Sequence, residues 1–481
     1  MKRKESVMVN GIFFSAYRVL NILFPLVTSV YVARILLADG TGRVAYAQNI
    51  VTYFTLIAAL GLPTYGTREI AKSLDNKTKY NTTFFELFII NAISTTACAL
   101  CYYSLCFIVP AFRADIKLYL VAGISILLNY INIDWLYQGR EEYKYISIRG
   151  FIVKLICTLL LFVLVKNKND YVMYAGLHCM IIGGNSFANV LGLRKRVSFD
   201  KYNVNLAKHF RPLLILFATN IAIELYTMLD TTMLGIMCEK SVVGYYSYAM
   251  KTSKIIITVL SAATTVLLPR LSHLYNEGDK SKFNNLANKG ILFLLLSSLP
   301  LATVLCINAD YAVLFLYGNE YIPAIQTLRI LSMLIIPISF STYFGIQILC
   351  SSGLEKKMLE AVSLGAILNI ILNSILIHRF QQNGAAVASL ISEIAVALID
   401  LLFASKVLKL QLDRKSIFTI LLSLLVLVAS IFTIRLLVHQ YVLSLILSSG
   451  IGIIIYLIIL YVFNVGELKV LVSKRRLSSK R

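Results

Sequence analysis

Charged residues interrupt the otherwise apolar stretches of this chain, notably the cations Arg18, Arg149, Lys154, Lys251, Lys254 and Arg329, against the acids Glu224, Asp230, Glu393 and Asp400. A charged group at bilayer depth costs about 2.5–3.5 kcal/mol on insertion scales, so it faces a protein interior or a wet cavity rather than lipid. The excess of cations has chemical meaning. A cationic lumen suits diphosphates or acidic sugars, whereas a path for cationic drugs would be lined with carboxylates. Guanidinium also matches phosphate oxygens in a bidentate way that ammonium does not. Lys251 and Lys254, three residues apart, share one helix face. The four acids are candidates for binding a coupling proton or sodium ion, or for neutralising neighbouring cations. A competing reading is snorkelling, in which long side chains near helix ends reach the headgroups. Arg18 fits snorkelling least, because it lies near the middle of its stretch with Pro25 a few residues on.

The elements that must carry these residues follow from composition. The chain has 481 residues, 58% of them hydrophobic and 15% charged, and its mean hydropathy is +0.76. Apolar runs recur from end to end, each long enough to cross about 30 Å of hydrocarbon as a helix. The expected fold is an all-α polytopic membrane protein with fourteen crossings: 8–36, 44–64, 83–110, 116–137, 146–166, 171–193, 210–237, 243–268, 286–308, 323–350, 358–378, 384–405, 416–438 and 441–465. Alternating short strands, the mark of a membrane barrel, are missing from the pattern. The N-terminal "MKRKE" resembles a signal-peptide n-region, but the apolar run behind it is too long and leads to another crossing. It reads as an uncleaved first helix.

The formal net charge of +22 raises the question of nucleic acid. Its distribution answers it. With the N-terminus inside, 30 of the 46 Lys and Arg fall on inside segments, chiefly 2–4, 67–82, 194–211, 270–282, 406–415 and 469–481. This is the positive-inside asymmetry; it puts both termini in the cytoplasm and reports topology rather than nucleic-acid binding. The eight cysteines all lie in or at the ends of crossings, so the Cys98/Cys101 pair reads as helix packing, not a metal or redox site. No connection is long enough for a folded domain, and no GxxxxGK[ST] motif supplies an ATP site. Local glycines and prolines read as helix ends: Gly61, Pro63 and Gly66 after the second crossing, Gly139 after the fourth. Trp135 and Tyr137 suit an interfacial aromatic belt.

An internal repeat is visible. "GRVAYAQNI" at 42–50 and "GYYSYAMKT" at 244–252 share Gly, Tyr and Ala in register, and "GREEYKYISIRG" at 139–150 finds an echo in "GLEKKMLEAVSLG" at 353–365. Both pairs run in the same order at nearly the same offset. An even number of crossings per unit makes these parallel repeats about an axis along the membrane normal. The expected divisions are therefore 1–200 for crossings one to six, 201–410 for crossings seven to twelve, and 411–481 for two further helices and a basic tail.

Four stretches carry a family resemblance: "ARILLADGTGRVAYAQNIVTYFTLIAALGLPTYGTREIAK" at 33–72, "DWLYQGREEYKYI" at 134–146, "LDTTMLGIMCEKSVVGYYSYAMK" at 229–251 with "LPRLS" at 268–272, and "NGAAVASLISE" at 383–393. The chain resembles the Wzx-type polysaccharide flippases of the multidrug/oligosaccharidyl-lipid/polysaccharide exporter (MATE-like) superfamily. The resemblance covers essentially the whole chain. It implies a flippase carrying undecaprenyl-diphosphate-linked O-antigen, capsule or exopolysaccharide repeat units from the inner to the outer leaflet of the cytoplasmic membrane, by alternating access around a central cleft. It implies membrane lipids and polysaccharide polymerase or export machinery as partners, and no cofactor. Repeated transport against a gradient without an ATP site calls for proton or sodium coupling.

Other classes fit less well. A membrane-bound polysaccharide polymerase needs catalytic groups on a sizeable outer loop; the outer loops here are short, and His378 and His439 stand without partnering carboxylates. A major-facilitator transporter would carry GxxxDRxGR between its second and third crossings. A lipid II flippase and a cation-coupled drug antiporter share the expected fold and remain open, the cation-rich path disfavouring the drug role.

Overall fold

Positions 1, 201, 412 and 466–481 of the computed structural model lie outside the described residues, as do the side chains of 2–23, 26, 219–223, 225 and 226. Among the described residues every regular element is a helix. That follows from the solvent: in hydrocarbon each backbone N–H and C=O must be satisfied within its own segment. The described apolar stretches fall on helices, the fourth interrupted at Asn132 and Ile133, and the chain is a multi-pass membrane protein. Large apolar side chains such as Phe418, Leu425, Leu436 and Leu437 stay bare on the helix surfaces, where lipid covers them.

Two of the longest helices each hold two crossings. Lys2–Ala59 breaks at Leu37, with φ 57° and ψ −174°, and Glu355–Ala404 breaks at Gln381, with φ 48° and ψ −127°. A left-handed backbone at a non-glycine residue costs on the order of 1–3 kcal/mol and persists where its surroundings fix it. The glycine that follows the second break supplies the reason. A Cβ on Gly384 would come within 2.2 Å of Leu376 O, so the two arms meet backbone to backbone. The tenth crossing is built in pieces: Ala324–Met333, Ile335–Thr342 and a π-helical stretch Tyr343–Leu349.

The chain divides into two compact units, Met1–Gly244 and Tyr245–Arg481. In the first, the core gathers Leu62, Tyr65, Ile70, Phe84, Trp135, Leu136 and Tyr137. Two expectations change here. Trp135 and Tyr137 are fully buried rather than belted at an interface: the Trp135 ring lies against Phe84, and a Cβ on Gly66 would touch it at 2.9 Å. Gly66 accordingly ends no helix; it sits inside Leu62–Ser73, kept small so that the indole can approach. Gly61, with φ 74°, makes the actual stop, and Gly139 closes the short helix Asp134–Gly139. In the second unit, one core surrounds Phe283, Tyr343, Phe344 and Leu349. Another joins the last two helices, Arg414–Leu437 and Tyr441–Val462, to Lys280–Ile307 through Val304, Leu427, Ile431 and Tyr456.

Candidate functional site

The first unit brings Arg149 into a closed polar cluster. Its Nη2 lies 3.1 Å from Asp134 Oδ1, its Nε donates to Asn185 Oδ1 at 3.0 Å, and its Nη1 donates to Asn189 Oδ1. Asn189 in turn donates to Asp134, and its carbonyl accepts from the Tyr137 hydroxyl. All three guanidinium nitrogens are thus engaged. The arginine side chain is 5% exposed and the aspartate 40%, so the cluster opens on the carboxylate side. Lys154, on the same helix Tyr143–Leu164, is half-buried.

A second network stands just outside this cluster. Arg140 Nε donates to Glu142 Oε1 at 2.7 Å, and Arg196 Nε donates to Glu142 Oε2 at 2.9 Å. Burial pushes the Glu142 carboxyl up, but the hydrogen bonds from Arg196 and Arg140 outweigh it and hold the group below the usual range. Arg196 also lies over the Tyr137 ring, 4.6 Å from its centroid.

Sequence reasoning missed a third cluster. Glu86 is fully buried and accepts from Asn205 N at 2.8 Å, Lys208 Nζ at 2.7 Å and His209 Nε2 at 2.8 Å. The other ring nitrogen of His209 meets the Tyr65 hydroxyl at 2.8 Å. With three donors the carboxylate is satisfied, and the cluster ties the start of Ala207–Met237 to Lys77–Ile108. The signal was available, since Glu86 interrupts the third apolar stretch.

Asp230 is buried on Ala207–Met237 within electrostatic reach of Tyr53. Asn49 Nδ2 donates to Met228 O at 3.2 Å and Thr232 Oγ1 at 2.6 Å, and the Tyr53 hydroxyl lies 2.6 Å from the same threonine. Asp230 therefore sits in a polar patch between two helices of the first unit. Glu224 is exposed, with Thr227 Oγ1 3.4 Å from its carboxylate. Arg18 lies outside the described residues.

In the second unit Lys251 and Lys254 are both exposed on Lys240–Thr265, and the Lys251 ammonium lies 4.3 Å from the centroid of the Tyr248 ring. Arg329 is half-buried on Ala324–Met333. Glu393 is half-buried and accepts from Ser341 Oγ at 3.4 Å. Asp400, on the same helix, is 1% exposed. Arg149 is thus paired with Asp134, while Lys251 and Lys254 show no ion pair among the described residues.

Known proteins share this fold. The chain is 25% identical over 407 residues to a "Putative O-antigen transporter" of Escherichia coli (strain K12), covering 83% of this chain and 97% of that one. A "Probable low-salt glycan biosynthesis flippase Agl15" of Haloferax volcanii is 27% identical over 169 residues, 35% of each chain. Among solved structures, the inward closed conformation of the lipid II flippase MurJ superposes with a TM-score of 0.74 at 19% identity, over 94% of this chain and 99% of that one. An inward-facing multidrug resistance MATE transporter gives 0.62 at 15%, over 80% and 93%. A MatE family model matches residues 216–375. A second model, polysaccharide biosynthesis protein, matches residues 7–275, and the chain belongs to that family, one of membrane transporters rather than enzymes.

Proposed function

We propose that this chain is a flippase that moves undecaprenyl-diphosphate-linked oligosaccharide repeat units from the inner to the outer leaflet of the cytoplasmic membrane, supplying surface polysaccharide. The observation that carries the reading is the likeness to the "Putative O-antigen transporter" of Escherichia coli along nearly its full length. The physical chemistry agrees. Desolvating two phosphates is costly unless cations replace water, and Lys251 and Lys254 offer cations that no acid neutralises within hydrogen-bonding distance among the described residues. The lipid tail stays in the bilayer while the headgroup crosses by alternating access, with both termini in the cytoplasm. A proton or sodium gradient drives the cycle. Polymerase or export machinery would receive the flipped unit at the outer leaflet.

The test is complementation of a host strain from which the gene is deleted. A non-peptidoglycan lipid-linked glycan should accumulate at the inner leaflet, and surface glycan should return with the gene. Accumulation of lipid II instead would reassign the substrate to peptidoglycan precursor. Unchanged lipid-linked glycans together with sensitivity to cationic drugs would make the chain a drug antiporter.

A further inference from the structure

One carboxyl of the second unit is buried with an oxygen to spare. Asp400 lies one turn before the end of Glu355–Ala404, is 1% exposed, and its Oδ1 meets no hydrogen-bond partner among the described residues. The nearby cations are turned elsewhere. Lys357 and Lys406 lie 5.1 and 5.8 Å from the Phe403 ring centroid, and Lys357 pairs with Glu360 at 2.7 Å. A lone carboxylate in such a place is costly unless something neutralises it.

The wall opposite is unusual. It is the π-helical stretch Tyr343–Leu349, where a Cβ on Gly345 would stand 3.5 Å from Asp400 Oδ2 and 3.0 Å from Met358 Cγ. π segments are rare and recur at functional sites because they disturb the regular backbone ladder. Sulfur completes the surroundings, with Cys350 Sγ 3.7 Å from Met358 Sδ and Cys350 within electrostatic reach of Asp400 and Glu355. Tyr343, the titratable group of the π stretch, donates to Ala287 O at 2.8 Å. On its own helix Asp400 interacts with Glu393, seven residues earlier on the same face and about 10 Å along the axis. Beside Glu393 the Ser392 hydroxyl is also buried without a partner among the described residues.

This chemistry chooses its ligand. A hard cation such as sodium needs a shell of oxygens, and here Met358, Cys350 and the bare Gly345 supply the wall beside Asp400. A proton needs only the one open oxygen. We propose that Asp400 is a proton-binding site of the second unit and that its proton is the one coupled to transport. The coupling clause rests on the flippase reading above. Binding forms one O–H bond on the carboxylate from an aqueous hydronium, and release returns it. Exchange takes place at the Ala404 end of the helix, about 6 Å away, which in the proposed orientation faces the cytoplasm.

The experiment uses the full-length protein in phosphatidylethanolamine/phosphatidylglycerol liposomes, with the infrared carbonyl band of a protonated carboxylic acid followed against pH. The expected result is a band that titrates away as pH rises, ignores added sodium, and is missing from Asp400→Asn. Its absence from the unsubstituted protein, its survival in Asp400→Asn, or its removal by sodium would overturn the site. Should Asp400→Asn fail to accumulate, Asp400→Glu keeps the acid and must shift the band; an unshifted band would equally overturn the site. In cells, Asp400→Asn at normal membrane abundance should lower surface glycan at least tenfold, and full complementation would sink the coupling role. The infrared measurement needs no substrate, so failure of the flippase reading leaves it standing, and failure of the band leaves the flippase reading intact.

Discussion

Gly42 and Gly244, equivalent positions of the internal repeat, pack backbone to backbone. A Cβ on Gly42 would lie 1.7 Å from Lys240 O and 2.8 Å from Gly244 N, and one on Gly244 would lie 2.2 Å from Ala38 O. Backbone, unlike a side-chain tip, cannot swing aside. Gly42→Ala and Gly244→Ala should each lower membrane abundance and the unfolding midpoint in detergent by more than the ~1–3 kcal/mol typical of overpacking. Gly450→Ala, with open space around it inside Tyr441–Val462, should be neutral or slightly stabilising. Equal midpoints for all three would mean that the helices do not approach so closely.

The Asp134–Arg149 pair should behave asymmetrically. Arg149 is the buried partner, so Asp134→Ala strands a desolvated guanidinium and should cost about 2–3 kcal/mol, discounted from the ~3–5 kcal/mol of a fully buried pair because the aspartate is partly exposed. Arg149→Met combined with Asp134→Ala should recover much of that loss. Thermal unfolding of the two single variants and the double variant measures the coupling; additive effects would contradict it.

Glu142 sets a pH dependence. Its carboxyl is held below the ordinary range, so the folded state binds that proton less readily than the unfolded state. The stabilisation is full above the ordinary glutamate pKa of about 4.3 and is lost as pH falls through the depressed folded value. An acid titration of the unfolding midpoint should show this loss, and Glu142→Gln should flatten it. A flat profile in the unsubstituted protein would remove the argument.

Most of the architecture was legible because hydrocarbon leaves few choices: apolar runs of that length must be helices, and the described stretches fall on helices, the fourth interrupted at Asn132 and Ile133. The helix breaks were harder to read. Leu37 and Gln381 carry no glycine or proline at the strained position itself, and tertiary contact rather than local preference holds them there. The site was half legible. Arg149 stood out as a charge in an apolar run, but its partner Asp134 lay in a motif whose aromatics pointed to an interface. Burial of Trp135 and Tyr137 moved that whole segment inward. Nor does sequence spacing indicate that Arg149 is paired with Asp134, because the pairing depends on how distant helices are rotated.

Lys251, Lys254 and Arg18 should matter for transport more than for folding. Lys251→Ala with Lys254→Ala should reduce surface glycan at least tenfold at unchanged membrane abundance. Arg18→Lys should leave partial function and Arg18→Ala very little, since lysine keeps the charge and loses the bidentate fork. Full complementation by these variants would reduce the residues to snorkelling anchors.

Orientation has a direct check. In a background with the eight native cysteines replaced, a cysteine at Asn319 should react with an impermeant maleimide added to intact cells, and one at Lys201 should not. Labelling at Lys201 would invert the assignment.

The Arg149 cluster also constrains biogenesis. Its members leave the ribosome in the order Asp134, Arg149, Asn185, Asn189, and the arginine has its complete set of partners only when the helix Tyr171–Leu191 arrives. Until then a guanidinium within Tyr143–Leu164 opposes stable release into lipid. Lateral exit from the insertion machinery should therefore favour assembly of the segment from Asp134 to Asn189 as one unit over release helix by helix.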